Sequence, residues 1–284
     1  SGIMKAELLR LKKEVCTIKK PRNFPKEKNL DFIKNTQVAL MAGGESSRFR
    51  EVMEADNVNK NAFKLPNGET MIERAVLMYK KAGITDFVAL VYHKAESIVE
   101  SLGDGSKLGV NIKYSYDPQK PVGKGGAIRN ALDNGSIDQS KNLIVHNPDD
   151  VIVNFEDKFV DLIVRGHLEA LEQGKCTTVV VVEETPYSFT GMEILNNSVE
   201  NIEMYPLIPI PTHMGVTIFS PDVYHFFREL FDLEKKSDFE QVLFPILAEQ
   251  KSLYAVSIPN NAWIAVNNLK SYKSFVEYLK NRGA

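Results

Sequence analysis

Val38-Ala39-Leu40-Met41-Ala42-Gly43-Gly44-Glu45-Ser46-Ser47-Arg48 runs from an unbroken apolar segment into two glycines, two hydroxyls and an arginine. The apolar part has the length and composition of a buried strand. The part that follows brings backbone N–H groups and one cation to a single point, as a run of phosphates requires. Neither common phosphate motif is present. A dinucleotide-binding GxGxxG needs another glycine order, and a Walker A loop needs GxxxxGK[ST]. The nearest approach to the latter is Gly123-Lys124, where Pro118 and Gly125 stand at the required Gly and Ser/Thr positions.

Outward from this loop, strand-like and helix-like segments alternate. Strand patterns cover 38–41, 87–92, 110–116, 143–146 and 177–182, and helical spacing covers 69–82, 95–102, 125–132 and 155–172. Such alternation implies a mostly parallel sheet with helices on both faces. Ligands of such sheets bind beyond the carboxyl ends of strands, where the glycine loop, 92–94 and 148–150 all fall. Short strands are then expected at 191–195, 216–219 and 253–257, and helices at 222–231, 239–249 and 270–280. Residues 4–36 read as a short helix through Leu8, Leu9, Leu11 and Val15. Pro21, Pro25 and many lysines, taken as solvated, then break it. The resulting division is a helical, basic extension over 1–36 and a single domain over 37–284.

The bulk numbers narrow the setting. Hydrophobic content of 43% and charged content of 25% over 284 residues suit a soluble chain with a sizeable core. A net charge of −2 creates no field favouring nucleic acid or an anionic membrane. No apolar run approaches the roughly 20 residues that span a bilayer. Cys16 and Cys176 stand far apart with no CxxC or Cys/His cluster, which disfavours a disulfide framework or zinc site. A reducing cytoplasm is the expected compartment.

Four further segments carry chemistry. Lys60-Asn61-Ala62-Phe63-Lys64-Leu65 supplies lysines, which are otherwise solvated loop residues. Pro121-Val122-Gly123-Lys124-Gly125-Gly126-Ala127-Ile128 opens a helix with three glycines, each costly relative to alanine. Close approach by a ligand would account for them. Val145-His146-Asn147-Pro148-Asp149-Asp150 ends an apolar strand in carboxylates, which are hard ligands for a divalent cation beside phosphates. The plainer role for Asp149 is to cap the following turn. Trp263-Ile264-Ala265-Val266-Asn267-Asn268 lies near the end.

Taken in order over 37–280, these segments resemble the sugar-1-phosphate nucleotidyltransferases. Residues 41–49 are similar to the family's LAGGxGTRL, with Ser46 and Ser47 in place of glycine and threonine. The resemblance implies that Met41, Ala42, Gly43, Gly44, Glu45, Ser46 and Ser47 surround the nucleotide and that Arg48 grips its phosphates. The lysine segment resembles the PKQFLKL of mannose-1-phosphate guanylyltransferases, with Asn59 where the family has proline. That register puts Lys60 at the phosphates, with Lys64 as the alternative, and leans towards a guanylyltransferase. Residues 121–128 resemble PLGTAGAL, which implies Gln119, Gly123, Lys124 and Gly125 around the nucleotide. The base is expected to be read there largely through backbone. Asp149 takes the place of the magnesium-binding aspartate of a strand-NGD pattern, with Asp150 a near neighbour. In the last segment Ala265 stands where many members have aspartate. Val266-Asn267-Asn268 resembles N-acetylglucosamine-1-phosphate uridylyltransferases and implies Asn267 as the second Mg²⁺ ligand.

The acceptor half departs further. The family's EKP element aligns with Met204-Tyr205-Pro206, which lacks the acid and the lysine; Glu203 is the substitute for the acid. Gly191 matches a glycine lining the sugar pocket, and His213 replaces an asparagine that contacts sugar. The resemblance implies an α/β, Rossmann-like fold with a mixed, mostly parallel sheet sandwiched by helices. It also implies a Mg²⁺-dependent condensation of an NTP with a sugar 1-phosphate to an NDP-sugar and pyrophosphate. Two alternatives stay open: a non-sugar phosphate acceptor such as phosphocholine, or a nucleotide-sugar-binding relative without turnover. Enzymes of this class often self-associate, so a homo-oligomer is compatible with the resemblance.

Overall fold

The computed structural model describes residues 2–45 and 58–282. The N-terminal segment forms α1 (Gly2–Val15) and α2 (Lys26–Lys34). Strands and helices then alternate: β1 (Thr36–Ala42), α3 (Met71–Lys81), β2 (Asp86–Val91), α4 (Ala95–Leu102), β3 (Asn111–Tyr116), α5 (Gly123–Asp133), β4 (Asn142–His146), β5 (Asp150–Ile152), α6 (Glu156–Glu172) and β6 (Thr177–Val182). The second half adds β7 (Thr185–Pro186), β8 (Thr190–Leu195), β9 (Ser198–Met204), β10 (Leu207–Ile208), β11 (Thr212–Phe219), α7 (Tyr224–Leu230), α8 (Phe239–Glu249), β12 (Leu253–Ser257), β13 (Trp263–Ala265) and α9 (Leu269–Asn281).

One sheet runs in the order β12-β6-β11-β4-β1-β2-β3. β4, β1, β2 and β3 are mutually parallel, as are β6 and β12. β11 is antiparallel to both β4 and β6 and joins the two groups. The mixed, mostly parallel sheet between helices is therefore present. Period-two alternation in β1 divides the core. Val38, Leu40 and Ala42 pack towards α2, α3, α4 and α6, meeting Phe32, Ile72, Ile98 and Phe159. Ala39 faces the other way, towards Ile128 of α5, Phe227 of α7 and Leu243 of α8. A smaller cluster seats Phe275 and Leu279 of α9 on Val151 and Val266.

Local signals explain the elements that were anticipated. α3 begins where the Thr70 hydroxyl accepts from Glu73 N–H, and its buried Met71, Ile72, Ala75, Val76 and Tyr79 repeat at helical spacing. α2 was not anticipated. Pro25, read as a breaker, stands at its entrance, where a fixed φ and a missing N–H do no harm. The helix buries Phe32, and Phe24 ahead of it is buried too. β9 was also missed, although Asn196 and Asn197, both at positive φ, form the two-residue turn that joins it to β8. The expected helix over 222–231 is a 3-10 turn, Pro221–Val223, followed by α7. Among the described residues no helix is long and apolar enough to cross a membrane.

Candidate functional site

Parallel β1, β2, β3 and β4 all end on one side of the sheet, and there a cleft of about 640 Å³ opens. Met41, Gly43, Gly44 and Glu45 enter it from the end of β1, Asp117 from β3, and Asn147 and Asp149 from β4. Pro121, Gly123, Lys124 and Ala127 come from the start of α5, and Lys60 and Asn61 from a 3-10 turn. Lys236 and Asp238 reach over from the connection between α7 and α8. Ala42 is buried in the core just below.

Lys60 Nζ lies 2.6 Å from Asp149 Oδ2, with both side chains largely covered. A buried neighbour holds this lysine in place. Asn59 donates through Nδ2 to the carbonyls of Ala42, at 3.0 Å, and His93, at 2.8 Å, while its Oδ1 accepts from Asn61 N–H. The asparagine thus ties the lysine turn to the ends of β1 and β2. Lys64 is exposed and does not line the cleft.

Asp149 sits in a braced turn. Val266 N–H donates to its carbonyl at 2.8 Å, which brings the end of β13 against the carboxylates. The next residue, Asp150, is half-buried, and its carboxylate accepts from Trp263 Nε1 at 3.0 Å and Asn147 Nδ2 at 3.2 Å. Burial, reinforced by Asp149 beside it, pushes the Asp150 carboxyl up to about 7. Gly215, at φ +89°, makes room for it: an added Cβ would come within 1.9 Å of Asp150 Oδ2. His146 is buried, between the Tyr79 hydroxyl and the Asp150 carbonyl, and desolvation lowers it to about 4. It is a neutral structural support.

Asn267 directly follows Val266 and is exposed, its Oδ1 3.5 Å from Ser271 Oγ. Among the described residues no three His, Cys, Asp or Glu side chains gather as a metal cluster. Asn267 is not among the residues lining the cleft, whereas Asp149 and Asn147 line it together; a carboxylate with an amide beside it is a donor set that suits Mg²⁺, which takes one or two carboxylates and fills its remaining positions with phosphate and water oxygens.

The glycines that open α5 have a different reason from the one expected. A Cβ at Gly125 would come 2.1 Å from the Phe231 ring, and one at Gly126 would come 2.7 Å from Val122 Cβ. Gly123 has φ +75° and lies against the Ser237 backbone. Close packing inside the protein accounts for their missing side chains. Ser237 exchanges backbone hydrogen bonds with Val122 and Gly125, which pins the α7–α8 connection to the mouth of α5. Lys124 is paired with Glu240, and its N–H donates to Asp238 Oδ1 at 2.9 Å. Gly125 is buried away from the cleft, whereas Gly123 and Lys124 line it.

Several expected residues lie elsewhere. Gln119 is exposed and offers its carbonyl to the Tyr92 hydroxyl; the group that enters the cleft from this segment is Asp117. Asp117 accepts from Val122 N–H at 3.3 Å, and burial pushes its carboxyl up to about 6. Gly191 and Glu203 are opposite one another on the β8–β9 hairpin, outside the cleft lining. His213 Nε2 bonds to the Val216 carbonyl and Thr217 Oγ1, both at 3.1 Å, and its ring meets Phe244 edge-on. It too is outside the lining. Tyr205, at positive φ, carries the Lys270 ammonium 4.3 Å above its ring. Ser46, Ser47 and Arg48 lie outside the described residues. Asn59, Asp117, Lys236 and Asp238 were missed by sequence reasoning, because each lies in a polar loop segment without a spacing that marks a binding residue.

Comparison with known proteins bears on this cleft. The family model for nucleotidyl transferases matches residues 37–282. A mannose-1-phosphate guanyltransferase of Kluyveromyces lactis is 27% identical over 242 residues, which are 83% of this chain and 62% of that protein. The protein of the same description from Saccharomyces cerevisiae is 26% identical over 243 residues, with the same coverage of 83% and 62%. The chain thus spans about three-fifths of the length of these relatives. Among solved structures, one from Bacillus anthracis, provisionally assigned as a glucose-1-phosphate thymidylyltransferase and determined with sucrose, superposes with a TM-score of 0.64. It shares 18% identity, and the match covers 85% of this chain and 94% of that one.

Proposed function

Because the chain belongs to the nucleotidyl transferase family, we propose that it condenses an NTP with a sugar 1-phosphate, giving an NDP-sugar and pyrophosphate. The observation that carries this reading is the Lys60–Asp149 pair, 2.6 Å apart, in a cleft floored by Gly43 and Gly44. A phosphate oxygen of the acceptor attacks the α-phosphorus in line as the bond to the leaving pyrophosphate breaks. No protein nucleophile is required, so positioning and charge stabilisation are the chain's contribution. Lys60 exchanges its carboxylate partner for phosphate oxygens at the reaction centre. Gly43 and Gly44 admit the nucleotide close to the backbone, with the triphosphate at Gly44, and Gly123 and Lys124 border the nucleoside. Arg48 is assigned to the departing pyrophosphate. Asp149 and the amide oxygen of Asn147 would hold Mg²⁺, which supplies positive charge that draws the two phosphate-bearing substrates together. The likeness to mannose-1-phosphate guanyltransferases favours mannose 1-phosphate as the acceptor.

The acceptor is the less defined half, because Gly191, Glu203 and His213 stand outside the cleft lining. The two free cysteines, Cys16 and Cys176, fit a reducing, cytoplasmic setting. The test is pyrophosphate release over a matrix of four NTPs and several acceptors, with mannose 1-phosphate, glucose 1-phosphate and phosphocholine among them. Release with a sugar 1-phosphate is expected. Release with phosphocholine alone would replace the sugar, and no release with any pair would overturn the reading.

A further inference from the structure

Resting on the nucleotidyl-transfer reading, we infer that Asp117 chooses the nucleotide: its carboxylate reads guanine, which makes GTP the substrate. The strand order positions this group. β4, β1, β2 and β3 are successive neighbours, so the end of β3 stands three inter-strand spacings, roughly 14 Å, from the end of β4. The Lys60–Asp149 centre is at the β4 end. A nucleotide whose α-phosphate lies there, with its triphosphate over Gly44, extends its base past Gly43 towards β3. Asp117 is the first residue past β3 and lines the same cleft. Its Oδ2 is 3.7 Å from where a Cβ on Gly43 would sit, so the carboxylate and the glycine backbone share one wall.

The carboxylate has bonding capacity to spare. Val122 N–H is its hydrogen-bond donor, and among the described residues no cation is paired with it. A half-buried carboxylate without an ion pair costs stability. Groups held at such a cost in a cleft are candidates for ligand recognition.

Donor and acceptor chemistry names the ligand. An ionised carboxylate only accepts. Guanine presents two adjacent donors on one edge, N1–H and the N2 amino group, which match the two carboxylate oxygens. Adenine and cytosine set an unprotonated ring nitrogen beside their amino group, and uracil flanks N3–H with carbonyls. Each of these turns a lone pair towards Asp117. A site built on such a pair rejects bases that lack it, because the mismatch leaves buried polar groups without partners.

Isothermal titration of the full chain with GTP, ATP, CTP and UTP tests the inference apart from turnover. GTP is expected to bind at least roughly tenfold more tightly than the others, the low end of what one bidentate base contact provides. Asp117→Asn keeps the size and can still accept from Val122 N–H, but it presents an amide. It is expected to lose most of the GTP preference and to gain xanthosine triphosphate, whose C2 carbonyl accepts from the new amino group. A gain of that kind cannot arise from misfolding. Preference of the wild type for another NTP, equal binding of all four, or an unchanged GTP-to-ATP ratio in Asp117→Asn overturns the inference. GTP binding without pyrophosphate release from any acceptor leaves Asp117 as the guanine reader and overturns the transfer reaction instead. Release that favours an NTP other than GTP does the reverse.

Discussion

Lys60 reaches Asp149 because the residue ahead of it is an asparagine. In sequence Asn59 is only a departure from a proline; in the fold its amide donates to carbonyls at the ends of β1 and β2 and accepts from Asn61 N–H in the lysine turn. Lys60→Ala should lower kcat/KM by roughly 100-fold or more, the scale of losing one preorganised transition-state donor, with little change in melting temperature. Steady-state pyrophosphate release and a thermal melt check both parts. Asp117 allows a second prediction, in stability. Burial pushes its folded carboxyl up to about 6, above the ordinary aspartate value of about 4. Between those values the folded state holds more protons than the unfolded one, so this group's contribution falls as pH rises from about 4 to about 6 and stays low above that. Asp117→Asn should therefore melt higher than wild type at pH 7.5, and the difference should close as pH falls towards 4. A difference that does not vary with pH would contradict the assignment. Neither role is legible in the chain, since a single Asn or Asp after a strand has no pattern of its own.

Elements with strong periodicity were legible. α3, α6, α8 and β6 follow from their apolar spacing, which local propensity and burial support together. β5 and β13 were not legible, because three residues are too few for a period; they exist because each pairs with the other, Ala265 against Asp150. The start of α5 was legible as an element but not as to cause. Gly125 faces the Phe231 ring at a distance no side chain tolerates. Gly125→Ala should destabilise the fold by about 1–3 kcal/mol through overpacking, and Phe231→Leu in the same chain should recover part of that. Urea unfolding of the three variants measures it. Absence of a cost in Gly125→Ala would return the glycine to a ligand-related role.

At the scale of the whole molecule, the N-terminal segment belongs to the packing that the sheet organises. Phe24 and Phe32 are buried in the same cluster as Ile144 and Phe159, and Phe32 meets the His167 ring at 5.5 Å. Phe32→Ala should cost about 3–5 kcal/mol of stability, whereas removing residues 2–15, whose described side chains are mostly exposed, should cost far less. Chemical denaturation separates the two. The sequence by itself determined the α/β class, the order of the alternating elements and the strand-end loops where a ligand would bind. These follow from local hydrophobic period and turn chemistry, which a linear chain carries openly. Only the tertiary structure decided that β11 runs antiparallel between two parallel groups, that Lys60 rather than Lys64 meets Asp149, and that Asp117 rather than Gln119 enters the cleft. Those outcomes depend on which strand ends lie side by side, on hydrogen bonds between residues far apart in sequence, such as Lys60 and Asp149, 89 positions apart, and on the space that Gly215 and Gly125 leave for their neighbours.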